Sequence, residues 1–148
     1  IATPDGKLPT FIAHPETGGP FPVVLVLMDG MGIRPSLEDV TRRIAAAGYY
    51  AMLPDMYYRI GFRMTRFDEA GMKEMFGAMR SLNNELVMRD TGAMLSFLAS
   101  EITVASGPKG CIGYCMSGQY VVSAAGCYPD GNLATRLAAN ARSRRQYM

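Results

Sequence analysis

The sequence is short of the groups that would fix its function at a glance. It has one histidine, His14, and beyond Asp130 it has no His, Asp or Glu. It has three cysteines, Cys111, Cys115 and Cys127, an odd number whose spacings match neither a CxxC pair nor a zinc site. A disulfide framework is therefore not expected, no metal is expected, and a reducing, cytoplasmic setting fits best. Long hydrophobic runs are missing too. The longest, Val23 to Met28, is far too short to cross a bilayer. Charge of one sign is also scarce: the net charge is +2 and only 19% of residues are charged. No nucleic-acid or membrane partner is expected from that balance. Arg142, Arg144 and Arg145 make a local basic cluster, which reads as a solvated tail ahead of a binding patch. No signal peptide is visible, and the chain opens on Ile1, so its start is expected to lie upstream.

What is present is apolar. Nearly half of the 148 residues are hydrophobic, enough for one domain with a sizeable core. The twelve methionines read first as flexible core filler and second as the lining of a pocket.

Along the chain, Pro4-Asp5-Gly6-Lys7 reads as a turn and Leu8 to Ala13 as an edge strand broken by Pro9. His14 opens a loop and is expected at the surface, away from catalysis. Val23 to Met28 has the continuous β-branched and apolar character of a strand buried on both faces. Asp29-Gly30-Met31-Gly32 follows as a flexible loop. Ser36 is expected to cap a helix whose apolar stripe is Leu37, Val40, Ile44 and Ala47, ending at Gly48. Tyr49 to Leu53 is a second strand, stopped by Pro54-Asp55. Asp68 is expected to cap a helix carrying Met72, Met75, Phe76 and Met79. A longer helix is expected from Asn84 to Ser100, with Gly92 a weak point worth about 1 kcal/mol against Ala. Lys109 to Tyr114 is a third parallel strand, and Met116 to Ala125 a further helix. Strands alternating with helices predict a three-layer α/β/α sandwich with a mostly parallel sheet.

The stretch that carries chemistry is Gly113-Tyr114-Cys115-Met116-Ser117. A thiol stands at a strand-to-helix turn with small residues two positions before and after it. That is the layout of a nucleophile elbow with cysteine in place of serine. The turn is sharp enough that larger flanking side chains would collide. It also aims the sulfur at the start of a helix, where free N–H groups favour negative charge. The competing reading is a buried, inert cysteine, and Cys111 and Cys127 fit that reading better than Cys115 does. Ser117 as nucleophile would need small residues at 115 and 119, and Gln119 fails the test. An elbow enzyme holds its oxyanion with two backbone N–H groups, one from the residue after the nucleophile, here Met116, and one from a loop after an earlier strand, for which Gly30 is well placed. The Asp29–Gly32 loop reads equally as a plain turn.

On these residues, the chain resembles the dienelactone hydrolase family of the α/β-hydrolase superfold over about residues 5–130. The resemblance rests on Gly113-Tyr114-Cys115-Met116-Ser117-Gly118, the later Tyr128-Pro129-Asp130, and Gly48-Tyr49-Tyr50-Ala51-Met52-Leu53-Pro54-Asp55-Met56-Tyr57. It implies a carboxylic ester hydrolase that opens a lactone or ester through Cys115 and an acyl-enzyme, without metal or organic cofactor. It implies Met116 and Gly30 as oxyanion donors, a small-molecule substrate, and a monomer or homodimer. Asp29 falls where the family often has a glutamate that contacts the resting thiol, although aspartate is one methylene shorter. Ser117 replaces a usual glycine. Arg59 and Arg63 are candidates to meet a substrate carboxylate.

The superfold places the triad's acid and histidine after the nucleophile. This chain has neither there. Residues 1–130 are expected to form the hydrolase core, and 131–148 a discontinuous or truncated continuation of the same domain. Gly131 to Thr135 is similar to a segment that the family carries after its next strand, and Arg136 to Met148 is expected as an amphipathic helix. The alternative is a catalytically incomplete hydrolase-like module used for binding or dimerisation. A flavodoxin-like or nucleotide-binding domain is disfavoured, because Gly30-Met31-Gly32 lacks the third glycine of a dinucleotide fingerprint and no Walker motif is present.

Overall fold

Val23, Leu25, Val26 and Leu27 are all buried, and the strand that they form sits in the middle of the sheet. Each such side chain contributes about 1.5–3 kcal/mol relative to exposure. The computed structural model describes residues 1–128 and 133–135. A small hairpin comes first, β1 (Ala2–Thr3) and β2 (Gly6–Lys7). The main sheet follows, with β3 (Thr10–Ala13), β4 (Val23–Leu27), β5 (Tyr50–Pro54), β6 (Lys109–Gly113) and β7 (Leu133–Thr135). Its order is β3-β5-β4-β6-β7, with only β3 antiparallel. The described helices are α1 (Pro35–Ala46), α2 (Glu69–Arg80), α3 (Asn84–Ala99) and α4 (Gly118–Cys127).

The strand order fixes the layers. The chain steps from β4 outward to β5 through α1, then back across β4 to β6 through α3, then on to β7 through α4. Right-handed crossovers put α1 on one face of the sheet and α3 with α4 on the other. The helices pack accordingly, α1 against β5 and β3, and α3 against α4. This is the mostly parallel α/β sandwich that the sequence predicted.

Several details depart from the sequence reading. Arg34, not Ser36, occupies the cap position of α1, and Pro35 fills the first helical position, where its missing N–H is no loss. The buried face of α1 is Leu37, Thr41 and Ala45, one step round from the expected stripe. Thr41 can be buried because its hydroxyl donates to the Leu37 carbonyl at 2.8 Å. On α2 the cap is Asp68 as expected, accepting the Gly71 N–H at 2.8 Å, but Met72 and Phe76 are exposed and the buried residues are Gly71, Met75 and Ala78. Gly71 has no room for a side chain, because a Cβ would collide with the Arg66 carbonyl. Gly92 is likewise a packing position. A Cβ there would lie 2.8 Å from the Tyr128 hydroxyl, which crosses α3 to donate to the Met88 carbonyl. Leu133–Thr135 is itself a strand, parallel to β6, rather than a segment following the next strand. The helix expected over 136–148 lies outside the described residues, as does most of the proposed 131–148 continuation.

Buried polar groups tie the amino-terminal hairpin to the body. Asp90 on α3 is buried and accepts two hydrogen bonds from Arg59, at 2.7 and 2.8 Å, and one from the Tyr58 hydroxyl at 3.1 Å. Arg59 also reaches Asp5 at 2.8 Å, between β1 and β2.

Candidate active site

The carboxyl ends of parallel strands are where α/β sheets place their sites. The Gly113–Ser117 stretch leaves β6 at that end. β6 stops at Gly113, a single 3-10 turn covers Cys115–Ser117, and α4 begins at Gly118. Cys115 is exposed and has φ 52°, the one non-glycine residue with positive φ among the described residues. The left-handed region costs an L-residue about 1–2 kcal/mol, and such outliers persist only where the surroundings impose them.

The surroundings here can be named. The Tyr114 N–H donates to the Leu27 carbonyl at 3.3 Å, and the Ser117 N–H to the Tyr114 carbonyl at 3.0 Å. Ser117 is fully buried, and its hydroxyl donates to the Met28 carbonyl at the end of β4. Ser117 is therefore a clamp between the bend and the neighbouring loop. Gly113 meets the steric demand anticipated from the sequence. A Cβ there would lie 2.6 Å from the Ser117 carbonyl oxygen and 2.7 Å from a Val121 methyl.

The loop that Ser117 grips is a closed turn. The Gly32 N–H donates to the Asp29 carbonyl at 3.1 Å, and Gly32 has φ 80°. The Asp29 carboxylate accepts the Met31 N–H at 3.1 Å and both ends of the Arg34 guanidinium at 2.6 Å. It makes no hydrogen bond to the Cys115 sulfur among the described residues. Gly30 is buried under α2, where a Cβ would come within 2.8 Å of the Met79 sulfur. Neither the Gly30 nor the Met116 amide donates to an acceptor among the described residues.

Tyr57 joins the two sides. It is fully buried, and its hydroxyl lies 3.0 Å from the Gly30 carbonyl and 3.6 Å from the Met116 sulfur. Burial is the main reason that its phenol ionises only well above the ordinary range, with nearby Tyr120, Asp29, Cys115 and Asp55 adding to it. Tyr57 closes the Gly48–Tyr57 stretch that carries the family resemblance, and no side-chain role for it is readable from the sequence. Arg34 went unnoticed altogether, although an Arg five residues after an acid at a strand end is a readable signal.

Other candidates lie elsewhere. Cys111 is buried in the core and burial pushes its thiol up to about 12. His14 stacks on Tyr50 with ring centroids 5.2 Å apart. Ala13, just before it, pairs with Ala51 near the start of β5, at the end of the sheet opposite Cys115. Arg59 is held by Asp90 and Asp5, and Arg63 pairs with buried Asp55 at 2.6 Å, so both candidate anion binders already have carboxylate partners.

The model of the dienelactone hydrolase family matches residues 8–135. Among curated relatives, a Methylorubrum extorquens protein named carboxymethylenebutenolidase is 31% identical over 120 residues, covering 80% of this chain and 40% of the relative. A Bradyrhizobium protein named as a 2-oxo-3-(5-oxofuran-2-ylidene)propanoate lactonase is 27% identical over 115 residues, covering 78% and 45%. Among solved structures, a Klebsiella pneumoniae protein described as a dienelactone hydrolase superposes with a TM-score of 0.67 at 24% identity, covering 78% of this chain and 50% of that one. A dienelactone hydrolase-like promiscuous phosphotriesterase from metagenomic libraries does so with a TM-score of 0.67 at 21% identity, covering 88% and 52%. The chain thus spans about half the length of the proteins it matches or less. With the match running over residues 8–135 and the same fold in its structural neighbours, the chain belongs to the dienelactone hydrolase family.

Proposed function

We propose that these residues form the acylating half of a hydrolase site for lactones or carboxylic esters, with Cys115 as nucleophile. The observation that carries the reading is the backbone of Cys115. An exposed thiol held at φ 52° at the carboxyl end of the sheet, between a strand and a helix, is the geometry of a nucleophile elbow. The relatives' names, carboxymethylenebutenolidase and a lactonase, support the substrate class.

The Cys115 thiolate attacks the ester carbonyl carbon. The carbonyl electrons move onto oxygen, and the Met116 and Gly30 amides hold the resulting oxyanion. Collapse breaks the bond to the alkoxy group, which leaves and takes up a proton, and a thioester remains on Cys115. Water then cleaves the thioester. Taking the thiol's proton and activating that water are tasks for a general base. No His, Asp or Glu follows Asp130 in this sequence, and His14 lies at the wrong end of the sheet. Asp29 locks the loop through Arg34 and Met31, and we assign it that positioning task.

An ester with a good leaving group can still acylate Cys115 without that base, whereas the attack of water on the thioester depends on it, so the expected behaviour of this chain is acylation without efficient turnover. With p-nitrophenyl acetate it should release close to one equivalent of nitrophenolate, followed by a slow phase. The Cys115→Ala variant should lose the fast release. A folded wild-type chain that shows no fast release would support the second reading, an incomplete hydrolase-like binding module.

A further inference from the structure

We infer that Tyr57 is a positioning residue for the oxyanion site: its hydroxyl, 3.0 Å from the Gly30 carbonyl, fixes the Gly30–Met31 peptide and, together with the Gly32 N–H on the Asp29 carbonyl, the direction of the Gly30 N–H. The inference rests on the reading of Cys115, Met116 and Gly30 as an acyl-transfer centre.

Glycine has the widest choice of backbone angles of any residue, so Gly30 offers an N–H of defined direction only if its neighbours fix it. Its peptide link to Met31 is fixed at both ends. The carbonyl accepts from Tyr57, and the Met31 N–H donates to the Asp29 carboxylate at 3.1 Å. Asp29 is in turn gripped by Arg34. A side chain on Gly30 would have to displace Met79, whose sulfur lies 2.8 Å from the position of its Cβ. Tyr57 is itself well anchored. Its N–H donates to buried Asp55 at 3.2 Å, Asp55 pairs with Arg63, and the ring meets Phe62 edge-on at 5.3 Å. The ring also lies against Gly32, where a Cβ would come within 3.3 Å of it. The same hydroxyl lies 3.6 Å from the Met116 sulfur. One buried phenol thus touches the two residues whose amides the mechanism uses. Burial holds its ionisation well above the ordinary phenol range, so the hydroxyl keeps its proton near neutral pH. Arg63, considered from the sequence as a substrate contact, becomes the outer end of this support.

The test separates chemistry that builds an oxyanion from chemistry that does not. Acylation of Cys115 by p-nitrophenyl acetate passes through a tetrahedral oxyanion. Alkylation of the same sulfur by iodoacetamide is displacement at a saturated carbon and forms none. Both rates are followed on the Cys115 peptide by mass spectrometry, so that exposed Cys127 does not interfere. Tyr57→Phe keeps the ring and removes only the hydroxyl. It should slow acylation about ten- to a hundredfold, the scale of a misplaced reacting group, and leave alkylation within about twofold of wild type. Arg63→Met, which removes the outer support, should lower the acylation-to-alkylation ratio in the same direction by a smaller factor. Equal slowing of both reactions in Tyr57→Phe would mean that the hydroxyl acts through the thiol or the fold, and would overturn the inference. An unchanged acylation rate would overturn it too. If wild-type Cys115 is alkylated but never acylated, the acyl-transfer reading itself falls.

Discussion

Replacing Cys115 by glycine should make the protein more stable than replacing it by alanine. Both changes remove the sulfur, and Cys115 is exposed, so the loss of side-chain contacts is small and nearly equal. They differ in the Cβ. At φ 52° a Cβ crowds the following carbonyl, which costs an L-residue about 1–2 kcal/mol. Alanine keeps that cost and glycine removes it. Glycine brings an opposing term, about 0.4–1 kcal/mol from the greater freedom of its unfolded chain. Taken at the middle of each range, the difference should therefore favour Cys115→Gly by about 0.8 kcal/mol. Urea unfolding followed by circular dichroism measures it, and with a slope of about 2 kcal/mol per molar the midpoints should differ by roughly 0.3–0.5 M. The strained conformation is imposed by the Ser117 clamp on Met28 and by the Tyr114 and Ser117 amides, none of which either substitution touches. A Cys115→Ala variant as stable as Cys115→Gly, or more so, would show that the bend is not strained and would remove the main geometric reason for reading Cys115 as a nucleophile.

Three other outcomes follow from the same structure. Gly113→Ala should lose about 1–3 kcal/mol in urea unfolding, because its Cβ meets a backbone carbonyl at 2.6 Å that cannot easily retreat; Gly126→Ala, in open space on α4, should be neutral or gain up to about 1 kcal/mol. Asp90→Ala should cost about 3 kcal/mol, since it leaves the largely buried Arg59 with Asp5 alone, and a loss below about 1 kcal/mol would contradict the account of the hairpin's attachment. Cys111 makes stability fall at alkaline pH. Its thiol ionises near 9 when unfolded and near 12 in the core, so its contribution is whole below 9 and declines by roughly 1.4 kcal/mol per pH unit from there to 12; Cys111→Ala should remove about one proton's worth of that slope in denaturation curves measured between about pH 10 and pH 11.

Much of the fold was legible because its strongest signals are local. The β-branched run from Val23 to Met28 read as a strand buried on both faces, and β4 lies within it; Asp68 caps its helix by the side-chain bond that its type predicts. The bend at Cys115 was legible for a steric reason. Small residues at 113 and 117 have no simpler cause than a tight turn between them, and the gap at Gly113 is as narrow as that argument requires. The misreadings come from interactions distant in sequence. Thr41 faces the core because a polar residue can satisfy itself on its own helix, which an apolar stripe does not anticipate. Gly92 read as a helix weakness, yet it makes room for the Tyr128 hydroxyl, as Gly71 does for the Arg66 backbone. The loop after β4 read as a flexible turn because its restraints come from outside it, Tyr57 from beyond β5 and Ser117 from beyond β6. Arg59 and Arg63 read as free cations because nothing in the sequence tells that Asp90 and Asp55 lie beside them.

The central claim is that Cys115 takes an acyl group. It is tested most directly by the mass of the protein after brief exposure to p-nitrophenyl acetate, followed by peptide mapping under mildly acidic conditions that preserve thioesters. The account predicts one acetyl group, carried by the peptide that contains Cys115, released by hydroxylamine, and absent from the Cys115→Ala variant. An acetyl group found instead on lysines or on Cys127, with the Cys115 peptide unmodified, would contradict it.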